Sequence, residues 1–124
     1  MTRVYIVDDS RLIRERLKEM LIDIAELSII GESADPAEAL VKIRESRPDA
    51  VILDIRLPGI SGIELLKRIK WEQPGIQVIM LTNYAYPKYR DQSLAAGADY
   101  FFQKATEFDK IPDVLKHLPV TGNC

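Results

Sequence analysis

Five times along the chain, a short apolar run is followed by a segment whose apolar residues recur at helical spacing. This alternation predicts five βα units in a parallel sheet. Right-handed crossovers would then place helices on both faces of the sheet. The third run is apolar throughout, as expected for a strand covered on both sides. The predicted strands are residues 4–7, 28–33, 50–53, 77–81 and 99–103.

The segments between these runs predict five helices. The second has a cap and a following proline in Asp35-Pro36-Ala37-Glu38, a capping-box pattern. Trp71 is expected to complete the apolar face of the third. Pro112 must lie in the first turns of the last helix or kink it. The helices are expected at residues 10–24, 35–46, 61 onward, about 86–97 and about 106–118. With 124 residues, one domain over 1–119 and a short tail at 120–124 are expected.

Polar residues collect where the predicted strands end. Asp8 and Asp9 follow the first strand, Asp54 the third, Thr82 the fourth and Lys104 the fifth. Parallel strands end on one edge of the sheet, which is where open α/β sheets bind ligands. If the strand order is 2-1-3-4-5, the first and third strands are neighbours about 4.8 Å apart. The three aspartates would then share one pocket.

Three carboxylates at such distances repel each other unless some are protonated or a cation neutralises them. A hard divalent ion with oxygen ligands meets this need, and Mg²⁺ is usual where phosphates are also bound. Lys104 and Thr82 suit phosphoryl oxygens. A carboxylate can itself attack phosphorus to give an aspartyl phosphate. Positioning and charge neutralisation are most of what phosphoryl transfer requires.

Each of these residues also has a simpler explanation. Asp9 or Ser10 could cap the first helix, and Asp54 and Thr82 could be turn residues. Lys104 could be a solvated surface lysine. Their joint placement after four different strands would require these explanations to hold independently four times. The pattern therefore favours a site for a phosphoryl group and a metal ion.

Composition excludes two classes of partner. The net charge is −2, with 17 basic and 19 acidic residues, which gives no basic excess for binding nucleic acid. No apolar run approaches the roughly 20 residues of a membrane span. No signal peptide is recognised at the N-terminus, and the single cysteine, Cys124, cannot form an internal disulfide. A cytoplasmic protein is expected.

Over residues 3–118 the chain resembles bacterial response-regulator receiver domains, which have a flavodoxin-like fold. The resemblance rests on four segments together with their spacing. They are Val7-Asp8-Asp9-Ser10, the run from Asp54 to Gly62 (DIRLPGISG), Leu81-Thr82, and the run from Ala95 to Tyr100 (AAGADY) leading to Lys104.

The resemblance implies a role for each matching residue. Asp54 would accept a phosphoryl group from a sensor histidine kinase or a histidine phosphotransfer protein, and the domain would catalyse only its own phosphorylation and dephosphorylation. Asp8, Asp9, Asp54 and the backbone carbonyl of Arg56 would hold Mg²⁺. Lys104 would contact the phosphoryl group, while Thr82 and Phe101 would act as the switch. The responding surface would comprise helix 4, strand 5 and helix 5, through which a homodimer could form.

Four departures from the family pattern bear on function. Ala105 follows Lys104 where a cis proline is usual, and a cis bond before a residue other than proline costs roughly 3 kcal/mol. Asn83 stands where a smaller residue is common. Phe101 lacks the hydroxyl of a tyrosine. Arg56 and Tyr84, two residues after Asp54 and Thr82, are expected to control how easily water reaches an aspartyl phosphate.

Three other functions share this architecture. A nucleotide- or flavin-binding domain would need a glycine-rich loop after the first strand, where Asp8-Asp9-Ser10 stands. A phosphohydrolase with an aspartate nucleophile would need an acid/base carboxylate nearby and usually a cap domain. A receiver-like domain that binds partners without phosphorylation is disfavoured by the complete set of site residues, though it stays open. Whether the domain acts alone or begins a longer regulator also stays open.

Overall fold

A computed structural model describes residues 1–118. Five parallel strands form one sheet in the order β2-β1-β3-β4-β5, as predicted. The strands are β1 (Thr2–Val7), β2 (Leu27–Ser33), β3 (Ala50–Leu53), β4 (Gln77–Thr82) and β5 (Tyr100–Gln103). The helices are α1 (Arg11–Leu21), α2 (Pro36–Ser46), α3 (Gly62–Glu72), α4 (Pro87–Ala95), α5 (Lys104–Glu107) and α6 (Ile111–Lys116), with a 3₁₀ turn at Phe108–Lys110. The tail expected at 120–124 lies outside the described residues.

Alternating strand residues feed two separate cores, one on each face of the sheet. In β1, Tyr5 and Val7 point to the face covered by α2, α3 and α4, whereas Val4 and Ile6 point to the face covered by α1 and α6. The central strand β3 is completely buried. A fully buried aliphatic side chain contributes about 1.5–3 kcal/mol, so the central strands fix the position of the residues that follow them.

Side-chain caps set the start of three helices. Ser10, Asp35 and Ser61 each accept a hydrogen bond from the backbone N–H three residues later. The helix α4 has no such cap and buries only Ser93. Gly97, just beyond α4, has a φ of +103°, which fits the predicted glycine at the helix end.

The expectation of one continuous last helix is wrong. Its region divides into α5, the 3₁₀ turn Phe108–Lys110 and α6, with Pro112 in the first turn of α6. Proline donates no N–H, and its ring would clash with the carbonyl four residues earlier, that of Phe108. A new helix therefore begins next to the proline. The first helix also ends earlier than expected, at Leu21.

Trp71 does not complete the apolar face of α3, because its side chain is 88% exposed. The buried residues Ile63, Leu66 and Ile69 follow one another at three-residue spacing. At 3.6 residues per turn, Trp71 lies about 200° around the helix from Ile69. It therefore faces solvent.

Candidate functional site at the carboxyl edge of the sheet

The site is built where the neighbouring strands β1 and β3 end side by side, with Lys104 following β5 on the same edge of the sheet. Val7 pairs with Leu53, so the next residues, Asp8 and Asp54, leave neighbouring strands at the same level. Their backbones remain in the sheet's hydrogen-bond pattern, since the Asp54 N–H donates to the Val7 carbonyl at 3.1 Å. Both side chains are buried, at 3% and 5% exposed. The sheet thus places two carboxylates together away from bulk solvent.

Lys104 connects these two carboxylates. Its Nζ lies 2.8 Å from Oδ2 of Asp8 and 2.8 Å from Oδ2 of Asp54, and its side chain is only 7% exposed. Burial by itself would lower the pKa of Lys104, but the hydrogen bonds and charges of Asp54 and Asp8 outweigh it and raise the pKa above its ordinary value. The lysine therefore carries its charge at neutral pH.

Backbone N–H groups orient the two buried carboxylates. The Ser10 N–H donates to Oδ1 of Asp8 at 2.8 Å, and the Ile55 N–H donates to Oδ1 of Asp54 at 2.7 Å. Burial raises the pKa of Asp8, and the bonds from Lys104 and the Ser10 N–H offset part of this effect. Each carboxylate consequently has one oxygen held by the backbone and the other by the lysine.

Asp9 completes an oxygen-rich cluster. Carboxylate oxygens of Asp8, Asp9 and Asp54 lie within 4.8 Å of one another, and Asp9 is exposed. Carboxylate oxygens at such separations match the ligand preference of a small hard cation that keeps part of its water shell. The donor set therefore fits the predicted Mg²⁺ ion.

Thr82 reaches the same edge but contacts a different group. It is fully buried at the end of β4, and its Oγ1 accepts a hydrogen bond from the Tyr84 N–H at 3.0 Å. None of the hydrogen bonds found in residues 1–118 joins its hydroxyl to Asp54 or Lys104. The structure thus brings Thr82 to the same edge of the sheet, outside the hydrogen bonds that join Lys104 to the carboxylates.

The remaining residues singled out from the sequence lie after β3 and β4, within β5 and at the start of α5. The exposed Arg56 places its guanidinium 4.5 Å from the ring centroid of Tyr84. Phe101 is 6% exposed, in the core between the sheet and α4, and Arg90 lies 5.9 Å from its ring centroid. No cis peptide bond occurs within residues 1–118, so the bond between Lys104 and Ala105 is trans. Asn83 is exposed.

Sequence reasoning missed two residues that hold the site together. The Arg14 guanidinium donates from Nη1 to the backbone carbonyl of Asp8 at 2.7 Å. Gly62, recognised only as part of a motif, leaves no space for a Cβ, which would lie 1.7 Å from the Asp54 carbonyl oxygen. The spacing from the Ser10 cap puts Arg14 one turn into α1, a signal that could have suggested its contact with the end of β1.

Fold and site together define a class: a doubly wound α/β domain with a lysine-bridged carboxylate cluster at the switch point of its sheet. The family model described as "Response regulator receiver domain" matches residues 4–116. The chain therefore belongs to the response regulator receiver domain family, which confirms the resemblance seen in the sequence.

Individual relatives agree with this assignment. Response regulator GacA of Pseudomonas viridiflava is 36% identical over 116 residues, covering 94% of this chain and 54% of GacA. A CheY-like receiver domain protein from Methanospirillum hungatei has a TM-score of 0.80 and 32% identity, covering 94% of each chain. CheY in a CheX–CheY–BeF₃–Mg complex from Borrelia burgdorferi has a TM-score of 0.81 and 28% identity, over 91% of this chain and 88% of that one.

The chain spans about half the length of the curated relatives it matches. It is thus similar to the receiver portion of those regulators. Among the helices described, none is both long and apolar enough to cross a membrane.

Proposed function

We propose that residues 1–119 form a phosphorylation switch in which Asp54 accepts a phosphoryl group from a sensor histidine kinase or a histidine phosphotransfer protein. The observation that carries this proposal is the buried lysine bridge, in which Lys104 Nζ lies 2.8 Å from both Asp54 and Asp8. A buried carboxylate beside a fixed positive charge is suited to attack phosphorus and to stabilise the charge of the product.

In the proposed transfer, an Asp54 carboxylate oxygen forms a bond to phosphorus as the P–N bond to the donor imidazole breaks. The departing imidazole nitrogen takes up a proton. The Ile55 N–H, 2.7 Å from Oδ1, keeps the carboxylate oriented. Lys104 is positioned to contact the incoming phosphoryl oxygens. The domain would therefore catalyse only its own phosphorylation and its return to the free carboxylate, without turnover of another substrate.

Asp8, Asp9, Asp54 and the backbone carbonyl of Arg56 would hold Mg²⁺. The clustering of three carboxylates within 4.8 Å supports this assignment. When bound, Mg²⁺ offsets the negative charge of the carboxylates and of the phosphoryl group. The magnesium and beryllofluoride named for the Borrelia CheY complex belong to a protein of the same fold, which makes the same ligands reasonable here.

Thr82 and Phe101 would report phosphorylation to the surface formed by α4, β5 and the last helical region, which comprises α5, the 3₁₀ turn and α6. The Thr82 hydroxyl, now bonded to the Tyr84 N–H, would turn toward the phosphoryl group and release that amide. Met80 of β4 pairs with Phe101 of β5, so a shift at the end of β4 reaches the aromatic side chain through the sheet. This is a local charge event acting on a two-state element.

The responding surface is our candidate for output, including a homodimer. Tyr86, the residue just before α4, is 62% exposed, and Leu94 within α4 is 43% exposed, so both could contact a partner. Sedimentation with and without beryllofluoride tests the dimer, and an unchanged monomer would contradict it. A cytoplasmic location is part of the proposal, because kinases of this kind draw on ATP.

Phosphorylation itself is tested by intact-mass measurement after incubation with acetyl phosphate and Mg²⁺, sampled from seconds to hours. We expect one phosphoryl adduct in the parent protein. The adduct should be absent from Asp54→Ala and from a sample treated with EDTA. Asp23→Ala, which removes an exposed aspartate distant in sequence from the site, is the matched control and should retain the adduct.

No adduct in the parent at any time would contradict the proposal. The domain would then bind partners without phosphorylation, and Asn83 and Ala105 would be the first residues to replace. An adduct that persists in Asp54→Ala would instead place the acceptor at another residue.

A further inference from the structure

A second group of charged residues lies next to the acidic pocket and contacts it through the Asp8 carbonyl. It joins α1 to the edge strand β2 and consists of Arg14, Lys18 and Glu32. Arg14 Nε lies 2.8 Å from Oε1 of Glu32, and Lys18 Nζ lies 2.5 Å from Oε2 of the same residue. Both oxygens of Glu32 are thus occupied by cations, which holds its carboxylate in one orientation.

A second nitrogen of the Arg14 guanidinium donates a hydrogen bond to the main chain of the pocket. Arg14 Nη1 donates to the Asp8 carbonyl oxygen at 2.7 Å, and its side chain is only 15% exposed. The Asp8 N–H donates to the Ser33 carbonyl, and its carboxylate is bonded to Ser10 and Lys104. Every polar atom of Asp8 therefore has a partner, and Arg14 provides the one for the carbonyl.

That carbonyl belongs to the peptide group between Asp8 and Asp9. Because a peptide group is planar, a bond that holds its oxygen also restrains the positions of the two flanking Cα atoms. Both flanking side chains are carboxylates of the cluster described above. A rotation of this plane therefore moves both carboxylates.

We propose that Arg14, held by Glu32, is a positioning residue that orients the Asp8–Asp9 peptide for binding Mg²⁺. The inference rests on the proposed function, since it concerns the same metal site. It assigns a role to a residue that contacts neither the metal ligands' carboxylates nor the phosphoryl group. Removing groups that orient metal ligands from behind typically lowers metal affinity about 10- to 100-fold.

Whether replacing Arg14 weakens or strengthens Mg²⁺ binding distinguishes a positioning role from long-range electrostatics. Arg14 is positively charged, so deleting its charge would by Coulomb's law alone strengthen the binding of a cation nearby. Positioning predicts the opposite result. Arg11 lies on the same helix, is exposed, and is closer to Asp9 in sequence. Arg11→Gln thus removes the same charge without removing the bond to the Asp8 carbonyl.

The test is the Mg²⁺ dissociation constant of the full chain, measured by NMR titration of backbone amide resonances with MgCl₂. We expect Arg14→Gln to weaken binding about 10-fold or more. Arg14→Lys, which can still reach one acceptor, should recover part of this loss, and Glu32→Gln should weaken binding less than Arg14→Gln. Arg11→Gln should bind as tightly as the parent or slightly more tightly. Thermal unfolding in EDTA shows whether each variant is folded.

Equal or tighter Mg²⁺ binding by folded Arg14→Gln would overturn the inference. If Arg14→Gln fails to fold, Glu32→Gln decides, since it leaves Arg14 present but loosens its guanidinium. Unchanged affinity in that variant would also overturn the inference. Failure of the parent protein to bind Mg²⁺ would instead contradict the proposed function itself.

Discussion

The Arg56 guanidinium lies 4.5 Å from the ring centroid of Tyr84, so that two residues from different loops meet beside the carboxylate pocket. Arg56 follows Asp54 by two residues, and Tyr84 follows Thr82 by two. A cation above an aromatic face is attracted by about 0.5–1 kcal/mol at an exposed site. The contact therefore links the loop after β3 to the loop after β4.

We expect the contact between Arg56 and Tyr84 to lengthen the lifetime of an aspartyl phosphate at Asp54. We expect Arg56→Ala and Tyr84→Ala to lose the phosphoryl group about two- to five-fold faster, the rate equivalent of the ~0.5–1 kcal/mol of the contact. The measurement is the decay of the phosphorylated mass after removal of acetyl phosphate. Tyr86→Ala, which removes an exposed tyrosine of the same region, is the control. Equal decay rates in all four proteins would rule the idea out.

The sheet and the convergence of site residues could be predicted because both follow from simple regularities. Apolar runs marked the strands, and the rule for parallel crossovers put Asp8, Asp54 and Lys104 on one edge. The structure places all three within hydrogen-bond reach. The chemical roles assigned to them, and those of Asp9, Thr82 and Phe101, stay predictions until phosphorylation is measured.

Features that depend on tertiary placement escaped the sequence patterns. The apolar spacing in α3 predicted that Trp71 would be buried. It did not show that Ile69 lies on the buried face while Trp71 lies on the opposite side of the helix. The contact of Arg14 with the Asp8 carbonyl depends on how α1 lies against the sheet, which no local pattern specifies. Pro112 predicted either the start of a helix or a kink, and the sequence could not decide between them. The structure shows a helix start, since α6 begins at Ile111.

At Gly62 the backbone of α3 comes close to the backbone of Asp54. Its N–H donates to the Ile55 carbonyl at 2.7 Å, and a Cβ would lie 1.7 Å from the Asp54 carbonyl oxygen. Gly62→Ala should therefore lower the free energy of unfolding by ~1–3 kcal/mol or more and slow phosphorylation by moving Asp54. Urea denaturation and the mass measurement check the two effects.

Gly75→Ala is the control for this substitution. Gly75 is exposed in a turn, and its φ is not positive, unlike those of Gly59 and Gly97. We expect its free energy of unfolding and its phosphorylation rate to stay close to those of the parent. A Gly62→Ala protein as stable and as readily phosphorylated as Gly75→Ala would show that the helix can move away without cost.

Replacing Ser93 is expected to stabilise α4, the helix that would respond to phosphorylation. Ser93 is the buried residue of α4, and its hydroxyl has no hydrogen-bond partner within the described residues. An unsatisfied buried polar group costs about 1–3 kcal/mol. Ser93→Ala should raise the free energy of unfolding by about 1 kcal/mol, part of the gain being offset by the small cavity left behind.

Urea denaturation measures this gain, and amide hydrogen exchange should show slower exchange within α4. Ser46→Ala is the matched control, since the Ser46 hydroxyl already donates to the Lys42 carbonyl at 2.7 Å. That substitution should not stabilise the protein. Equal effects of the two replacements would mean that the Ser93 hydroxyl is satisfied in solution.

Glu32 gives a prediction for stability at acid pH. Its hydrogen bond from Lys18, aided by that from Arg14, lowers its pKa below the ordinary 4.5 despite partial burial. A carboxyl group with a lowered pKa in the folded state stabilises the fold above its unfolded pKa, and this stabilisation is lost as pH falls through the folded pKa. The parent should therefore be more stable than Glu32→Gln at pH 6, and the difference should shrink below about pH 4.5.

Urea denaturation of both proteins from pH 6 to pH 3 measures this difference directly. Glu19→Gln removes an exposed carboxylate of α1 that has no ion pair within the described residues, and its difference from the parent should change little over the same range. If the difference between the parent and Glu32→Gln instead stays constant down to pH 3, the ion pairs seen around Glu32 do not stabilise the folded state. Arg14 would then lack the support on which its orientation of the Asp8 carbonyl depends.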